Sequence, residues 1–274
     1  MARPARNASC QPPWLALFLL AGWVLTPSSV VAQSQAAALP PAVVQLLDAS
    51  YAGYSASQAC WIAYDAEQRR FCMTPARVDH LEAGDSQRTY VLLSGRRVDE
   101  DNEDNAAHAD SGLVGAFVIE DGDDTPHVLA GNPAMPTGTM GAAPTDWDWL
   151  ALGPDNYWGW TTTWGDCHQG YCGAHMDILA PYGKTIRNLG GFAVASDNSG
   201  ACADADCEAR TRTLEADVHV NTERTGARVF PLIVTVRGNR GLQPITDDKT
   251  VFEFDAHSWK YQVPEGWILE DADF

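Results

Sequence analysis

The sequence has few basic residues for its length. It contains 18 Lys and Arg against 36 Asp and Glu, a net charge of −18 over 274 residues. A chain this acidic repels nucleic-acid phosphates and anionic lipid surfaces. We therefore expect no nucleic-acid partner. The partners that this charge favours are neutral or cationic, such as glycans, peptides, metal ions or basic proteins.

Several sequence motifs are also missing. The chain contains no Gly-x-Ser-x-Gly, no His-Glu-x-x-His and no phosphate-binding loop. The absence of these motifs favours a protein that is not an enzyme. No Asn-x-Ser/Thr acceptor occurs after residue 32, which favours a bacterial exported protein over a eukaryotic one.

Long apolar runs are absent apart from "WLALFLLAGWVL" at residues 14–25. This run is shorter than the roughly 20 residues that cross a bilayer. It follows Arg3 and Arg6 and precedes small residues that end at Ala32, the order typical of a secretory signal peptide. We expect a signal peptide at residues 1–32, no membrane span after its removal, and a periplasmic or extracellular location.

Of the seven cysteines, Cys10 lies within the expected signal peptide. An even number of cysteines in an exported chain predicts disulfide bonds. Six cysteines allow fifteen pairings, and the close spacing favours local ones. Cys60 and Cys72 are symmetric about a polar turn near residues 65–68, which predicts a bond between directly opposed strand residues. The six predicted disulfide cysteines are Cys60, Cys72, Cys167, Cys172, Cys202 and Cys207.

The pattern of apolar residues predicts a mainly β protein. Apolar residues at 43, 44, 46 and 47, behind Pro41, predict one short helix within residues 40–54. After it, strand-like segments separated by turn residues predominate, and no long amphipathic helix is evident. Strands are predicted at residues 59–65, 69–74, 76–83, 88–95, 113–120, 190–196, 214–221, 227–238, 250–255 and 258–263.

The predicted fold class is an antiparallel β-sandwich-like domain with one short N-terminal helix and long irregular loops. Residues 33–274 are expected to form a single exported β-rich domain, with a subdivision near residues 150–185 as the alternative. Residues 121–147 are rich in Gly, Pro, Ala, Thr and Asp without a period, which predicts a long surface loop.

The segment "TTWGDCHQGYCGAH" at residues 162–175 admits three interpretations. A small disulfide ring between Cys167 and Cys172 is favoured, because an oxidising compartment opposes metal loading of thiolates. A zinc site would use these cysteines with Cys202 and Cys207, or else the mixed set His168, His175 and Asp177. A nucleophilic Cys167 with His219 as its base is the third interpretation. The candidate catalytic residues are therefore His168, His175 and His219, and no metal site is assigned.

Residues 145–166 hold five of the ten tryptophans. On extended backbone, alternate residues share a face, so Trp147 is grouped with Trp149 and Trp158 with Trp160. Such a tract is either a core seam or an exposed platform for sugar rings or a partner chain. The predicted ligand-binding residues are Trp147, Trp149, Tyr157, Trp158, Trp160 and Trp164.

An acidic segment at residues 98–112 raises the question of calcium. Asp99, Asp101 and Glu103 alternate, as oxygen ligands in a calcium loop do. However, Asp104 stands where an EF-hand loop needs Gly, and Asp110 stands where it needs Glu. We therefore favour a solvated loop and expect no cofactor, with calcium at residues 99–110 as the alternative.

These features together predict an exported, disulfide-stabilised binding protein or cell-envelope-associated protein. Its Trp-rich surface would take a glycan or an envelope protein as ligand. The first alternative is an envelope hydrolase that uses Cys/His or His/carboxylate residues near 166–177. The second is a structural or host-interaction protein, and the oligomeric state is left open.

Overall fold

The computed structural model describes residues 39–84, 86–101, 103–120, 127–202, 207–224 and 226–270. The predicted signal peptide at residues 1–32 lies outside them. The one α-helix of the described residues is α1, Pro41–Ser50. The strands are β1 Tyr54–Ser55, β2 Cys60–Tyr64, β3 Arg70–Ala83, β4 Ser86–Arg97, β5 Gly112–Glu120, β6 His127–Thr137, β7 Asp148–Gly153, β8 Tyr157–His168, β9 Tyr171–Tyr182, β10 Thr185–Asp197, β11 Arg212–Val220, β12 Leu232–Arg240, β13 Gln243–Phe252, β14 Phe254–Asp255 and β15 Lys260–Tyr261.

Two antiparallel meanders make up most of the protein. Strands β1 to β6 form a six-stranded sheet in chain order, and β7 to β13 form a seven-stranded sheet in the same way. Strands β14 and β15 form a small hairpin. Because antiparallel neighbours reverse direction, the connections after β7, β9 and β11 lie at one end of the second sheet. The predicted class, mainly β, antiparallel and sandwich-like, is confirmed.

The core lies between the two sheets and continues on both outer faces. On β4, Tyr90 and Leu92 pack against Trp160 and Leu179 of the seven-stranded sheet. The alternate residues Val91 and Leu93 point the other way, into a cluster with the helix. This period of two follows from the pleat of a strand, and it makes β4 a strand buried on both faces.

Helix α1 covers the outer face of the six-stranded sheet. Pro41 stands at its first turn, where the missing N–H costs nothing. Val43 and Leu47, one helical turn apart, bury their side chains against the sheet. The indole N–H of Trp61 donates to Asp48 at 2.8 Å, which fixes the helix to β2. The helix predicted within residues 40–54 is confirmed.

The C-terminal segment covers the outer face of the seven-stranded sheet. Trp259, Trp267 and Leu269 are buried in one cluster with residues of β10 and β12. The indole N–H of Trp267 donates to the carbonyl of Ala193 at 3.1 Å, and its ring meets Phe252 edge-on at 4.9 Å. The C-terminal segment therefore covers the outer face of this sheet at β10 and β12, whereas alternate residues of β11 and most of β13 are exposed.

The predicted loop at residues 121–147 is wrong over residues 127–137, which form β6. This strand contains Pro133 and Pro136, residues that a central strand cannot accommodate. It lies at the edge of the six-stranded sheet and pairs only with β5, with two register shifts along the ladder. An edge strand tolerates the missing N–H groups, so proline did not exclude a strand here.

Three disulfide bonds link the cysteines in local pairs: Cys60–Cys72, Cys167–Cys172 and Cys202–Cys207. Such bonds persist in oxidising compartments, in agreement with export. Since all six sulfurs are bonded to one another, the four-thiolate zinc site is excluded. Within the described part of the chain, no helix has the length and apolar character that crossing a bilayer requires.

The Cys60–Cys72 bond does not join directly opposed residues, as the turn symmetry predicted. The register pairs Ile62 with Cys72 and Tyr64 with Arg70. The bond is therefore diagonal across β2 and β3. The loop is longer than the predicted turn because the Asp65 carboxylate accepts bonds from the N–H groups of Glu67 and Arg69. A shift of two residues keeps every side chain on its predicted face.

Removal of the Cys60–Cys72 bond should cost more stability than removal of Cys167–Cys172. The first closes a separation of 12 residues between buried sulfurs, and the second one of 5 at an exposed hairpin tip. Loop-closure entropy gives about 3 kcal/mol for the first and about 2 kcal/mol for the second. Urea unfolding of the Cys60→Ala/Cys72→Ala and Cys167→Ala/Cys172→Ala variants measures both. The reverse order would contradict this assignment.

Candidate ligand-binding cleft

A cleft of about 1280 Å³ opens at one end of the sandwich. Three connections of the seven-stranded sheet meet there: residues 154–157, 181–183 and 226–229. They meet because every second turn of a meander lies at the same end of its sheet. The small β14–β15 hairpin contributes Ala256 and Trp259. The six-stranded sheet completes the cleft with Arg88, Tyr90, Val118, Leu129 and Ala130.

Tight turns bring the strand ends close together at the cleft. Asp155 and Asn156, between β7 and β8, have φ angles of 57° and 58°. Asp and Asn are among the few residues that tolerate this left-handed region. Gly183, between β9 and β10, has φ of 59° and meets no steric penalty there. Both turns are exposed and belong to the cleft lining, so their polar groups are accessible to solvent there.

Three aromatic rings form one wall of the cleft. The ring centroids of Tyr182 and Trp259 are 5.0 Å apart, and those of Tyr157 and Trp259 are 6.4 Å apart. Tyr157 donates its hydroxyl to the carbonyl of Pro181 at 2.9 Å, and burial raises its pKa to about 12. Tyr182 is 36% exposed and stands at the opening. The wall is therefore fixed at its base and accessible at its rim.

Two arginines lie against this wall. The guanidinium carbon of Arg187 is 4.1 Å from the Tyr182 ring centroid, and that of Arg228 is 4.7 Å from the Trp259 ring centroid. Both distances fit cation–π contacts. On the facing sheet, Arg88 is 4.0 Å from Glu120, at the outer limit of an ion pair.

The tryptophan tract divides between core and surface. Trp160 is 0% exposed and Trp147 is 3% exposed, and both lie in the layer between the sheets. A surface ligand cannot reach them, so the prediction that these two bind ligand is wrong. Their rings fill the layer where the edge strand β7 and its neighbour β8 face the other sheet.

Trp149 and Trp158 remain half-buried beside that layer. Their rings stack at 4.1 Å with an angle of 22° between the planes. Tyr90 contacts the Trp149 ring at 5.5 Å and also lines the cleft. The accessible part of the predicted tract is thus continuous with the cleft through Tyr90, and Tyr157 belongs to the cleft itself.

Trp164 belongs to a different contact, with His175 and Asp177. Its ring stacks on His175 at 5.2 Å, and its indole N–H donates to the buried Asp177 carboxyl at 2.9 Å. The same carboxyl accepts bonds from Thr137 and, at 2.7 Å, from Asn188. Burial lowers the pKa of His175, an effect that the charge of Asp177 opposes. Both oxygens of the Asp177 carboxyl therefore accept hydrogen bonds from protein donors.

The predicted catalytic histidines do not come together. His168 pairs with Tyr171 at the β8–β9 tip, and His175 pairs with Trp164, about 13 Å further along the strand. His219 is exposed on β11, three strands and about 14 Å from β8. Cys167 has no thiol because it is bonded to Cys172. The structure therefore contradicts the mixed metal site and the Cys167–His219 pair.

His168 instead lies beside His108, a residue that the sequence analysis did not single out. Their ring centroids are 5.6 Å apart, and His108 is 3.1 Å from the Asp166 carboxylate. This exposed group is at the opposite end of the sheet from the cleft. Among the described residues, no three His, Cys, Asp or Glu side chains form a group that would hold a metal ion.

The acidic loop at residues 98–110 uses its carboxylates for internal contacts. Asp99 accepts a bond from the N–H of Glu103 at 2.9 Å. Asp104 pairs with Arg96, and Asp110 with Arg97. A backbone bond from Ala107 is the main cause of a lowered pKa at Asp110. The loop is therefore held by its own hydrogen bonds and by two arginines of β4, and calcium binding there stays a prediction.

Sequence reasoning missed most of the cleft. Arg228, Tyr182 and Trp259 are distant along the chain, and each stands next to ordinary turn residues. The sequence did indicate the turns at the cleft, since "PDN" at 154–156 and "YGK" at 182–184 are typical hairpin connections. Comparisons with protein-family models, with curated proteins and with solved structures each found no match to this chain.

Proposed function

We propose that the protein is a non-enzymatic binding protein of the cell envelope or the extracellular medium, and that the cleft is its ligand site. The observation that carries the proposal is a cleft of about 1280 Å³ with an aromatic wall and turn residues at its rim. Ligand sites are concave, largely apolar and equipped with a few polar groups that orient the ligand. The three disulfide bonds support a role outside the cytoplasm.

A glycan is the ligand that this wall fits best. Sites for small molecules usually measure about 300–1,000 Å³, so a volume above that range favours several linked rings over one. Sugar rings present C–H groups on their faces and hydroxyls at their edges. Tyr182 and Trp259 supply aromatic surface for the faces. Asp155, Asn156 and the turn backbones supply hydrogen-bonding groups for the edges.

The chemistry of the cleft does not support the hydrolase alternative. Hydrolysis of a glycoside usually takes a pair of carboxyl groups that flank the bond. Among the described residues that line the cleft, Asp155 is the one acid. The histidines offered for catalysis lie outside the lining. Binding is therefore the function that we infer.

Replacement of Tyr182 by alanine should weaken glycan binding about tenfold. The change removes an exposed ring from the cleft wall, and an aromatic contact at a binding site is worth about 1–2 kcal/mol or more. Isothermal titration calorimetry with a panel of neutral and acidic hexasaccharides measures the affinity. The matched control is Tyr171→Ala, at the other end of β9, whose ring is 44% exposed. Equal losses in both variants, or no binding to any glycan, would refute the proposal.

A further inference from the structure

The arginines at the cleft differ from many others in the protein. Among the described residues, Arg69, Arg77, Arg97, Arg224 and Arg237 form ion pairs with carboxylates. The described residues place no carboxylate within ion-pair distance of the two arginines stacked on the aromatic wall, and both of these side chains are exposed. In a chain with a net charge of −18, these two guanidinium groups thus stand against the aromatic wall with no acidic partner among the described residues, and Arg228 belongs to the cleft lining.

A stacked guanidinium group remains available for binding. The aromatic ring covers one face of the planar group, while its five N–H donors point outward in the plane. Those donors match the two oxygens of a carboxylate in a bidentate pair. The stacking also orders a side chain that would otherwise sample many rotamers, which reduces the entropy lost on binding. The guanidinium carbon of Arg228 lies over the Trp259 ring at 4.7 Å from its centroid, and both residues line the cleft.

Positive charge also reaches the cleft from the facing sheet. Arg88 lines the cleft, and its contact with Glu120 is long, at 4.0 Å. Asp155 is the acid in the described lining. Acidic residues elsewhere are screened beyond about 8–10 Å in physiological salt, so the local charges decide what the cleft attracts. In the described lining, the two arginines Arg88 and Arg228 thus outnumber the one acid, and Glu120, outside that lining, contacts Arg88 only at the outer limit of an ion pair.

We propose that the cleft binds a glycan that carries carboxylate groups, with one carboxylate paired to Arg228. This inference rests on the proposed function, because it names the class of glycan that the same site takes. Sugar rings of the chain would contact the rim at Tyr182, and the carboxylate would meet the outward N–H edge of Arg228. A uronate oligosaccharide has this chemistry.

The test compares a galacturonate hexasaccharide with its fully methyl-esterified form, which has the same rings and no charge. Calorimetry should show that the wild-type protein binds the acidic form at least about tenfold more tightly. Arg228→Gln should remove most of that preference. Arg228→Lys should recover part of it, because lysine keeps the charge but lacks the planar fork. Circular dichroism checks that these exposed substitutions leave the fold intact.

The matched control is Arg240→Gln, which makes the same charge change at the far end of β12. It should alter the affinity less than about twofold. Equal affinity for the acid and the ester, or equal losses for Arg228→Gln and Arg240→Gln, would overturn the inference and leave the proposed glycan function standing. A sulfated hexasaccharide that binds better than the uronate would also overturn the choice of carboxylate. Failure of every glycan to bind would overturn both proposals.

Discussion

Replacement of Trp160 by alanine is expected to lower the free energy of unfolding by about 3–5 kcal/mol. The side chain is 0% exposed, and it packs between the two sheets against Tyr90 at a ring distance of 5.6 Å. Truncation of a large buried ring loses its transfer free energy and leaves a cavity that the neighbouring strands fill only in part. Trp160 lies on β8 in the buried layer between the two sheets, so little relaxation is available.

Two further variants separate core from surface in the tryptophan tract. Trp158→Ala removes a half-buried ring from the same strand, and we expect a loss of about 1–2 kcal/mol because solvent already reaches that ring. Trp160→Phe should cost less than Trp160→Ala, since it keeps a ring and removes an indole N–H that finds no acceptor among the described residues. Urea denaturation followed by circular dichroism measures all three. Equal losses at positions 158 and 160 would contradict this division.

The fold class was predictable because the most buried strands have simple patterns. Nearly continuous apolar runs predicted strands at residues 88–95 and 113–120, and the structure covers these strands, β4 and β5, with the helix on one side and the second sheet on the other. The local disulfide pairs followed from spacing alone. Both signals depend on short-range order along the chain, which a sequence displays directly.

The strands that were missed have patterns that local reasoning penalises. Strand β6 contains two prolines, β8 is rich in Gly, Thr and Trp, and the first half of β9 holds Cys, Gly, Ala and His in place of aliphatic alternation. Their stability comes from pairing across the sheet and from the layer between sheets. The tip of β8 and β9 illustrates this: Cys167 opposes Cys172, and Gly170 adopts φ of 87° against Gly200. Contacts of this kind join residues of different strands, so the sequence of one strand does not reveal them.

The topology of the fold explains why the cleft could not be predicted from the sequence. Its residues come from three turns of one meander, from a C-terminal hairpin and from the facing sheet. The Trp-rich tract did indicate part of the cleft, because Tyr157 lines the cleft and Trp149 contacts Tyr90, another lining residue. The arginines that we assign to ligand binding carry no local motif. Only the pairing of strands places them on one wall.

A second large effect is expected at Asp177, which the sequence analysis had considered as a metal ligand. This buried carboxyl on β9 accepts bonds from Thr137 of the six-stranded sheet and from Trp164 and Asn188 of its own sheet. Asp177→Ala leaves three buried or half-buried donors without an acceptor. Each such donor costs about 1–3 kcal/mol, so we expect a total loss of about 3–5 kcal/mol.

The link between the sheets is what distinguishes Asp177 from an ordinary buried polar group. A double-mutant cycle with Thr137→Val measures it, because that change removes the donor from the six-stranded sheet and keeps the side-chain shape. We expect a coupling of about 1 kcal/mol or more between positions 137 and 177. The exposed Thr163→Ala, on the neighbouring strand, is the control and should change stability by less than about 0.5 kcal/mol. Additive losses at 137 and 177 would show that the carboxyl stabilises its own sheet alone.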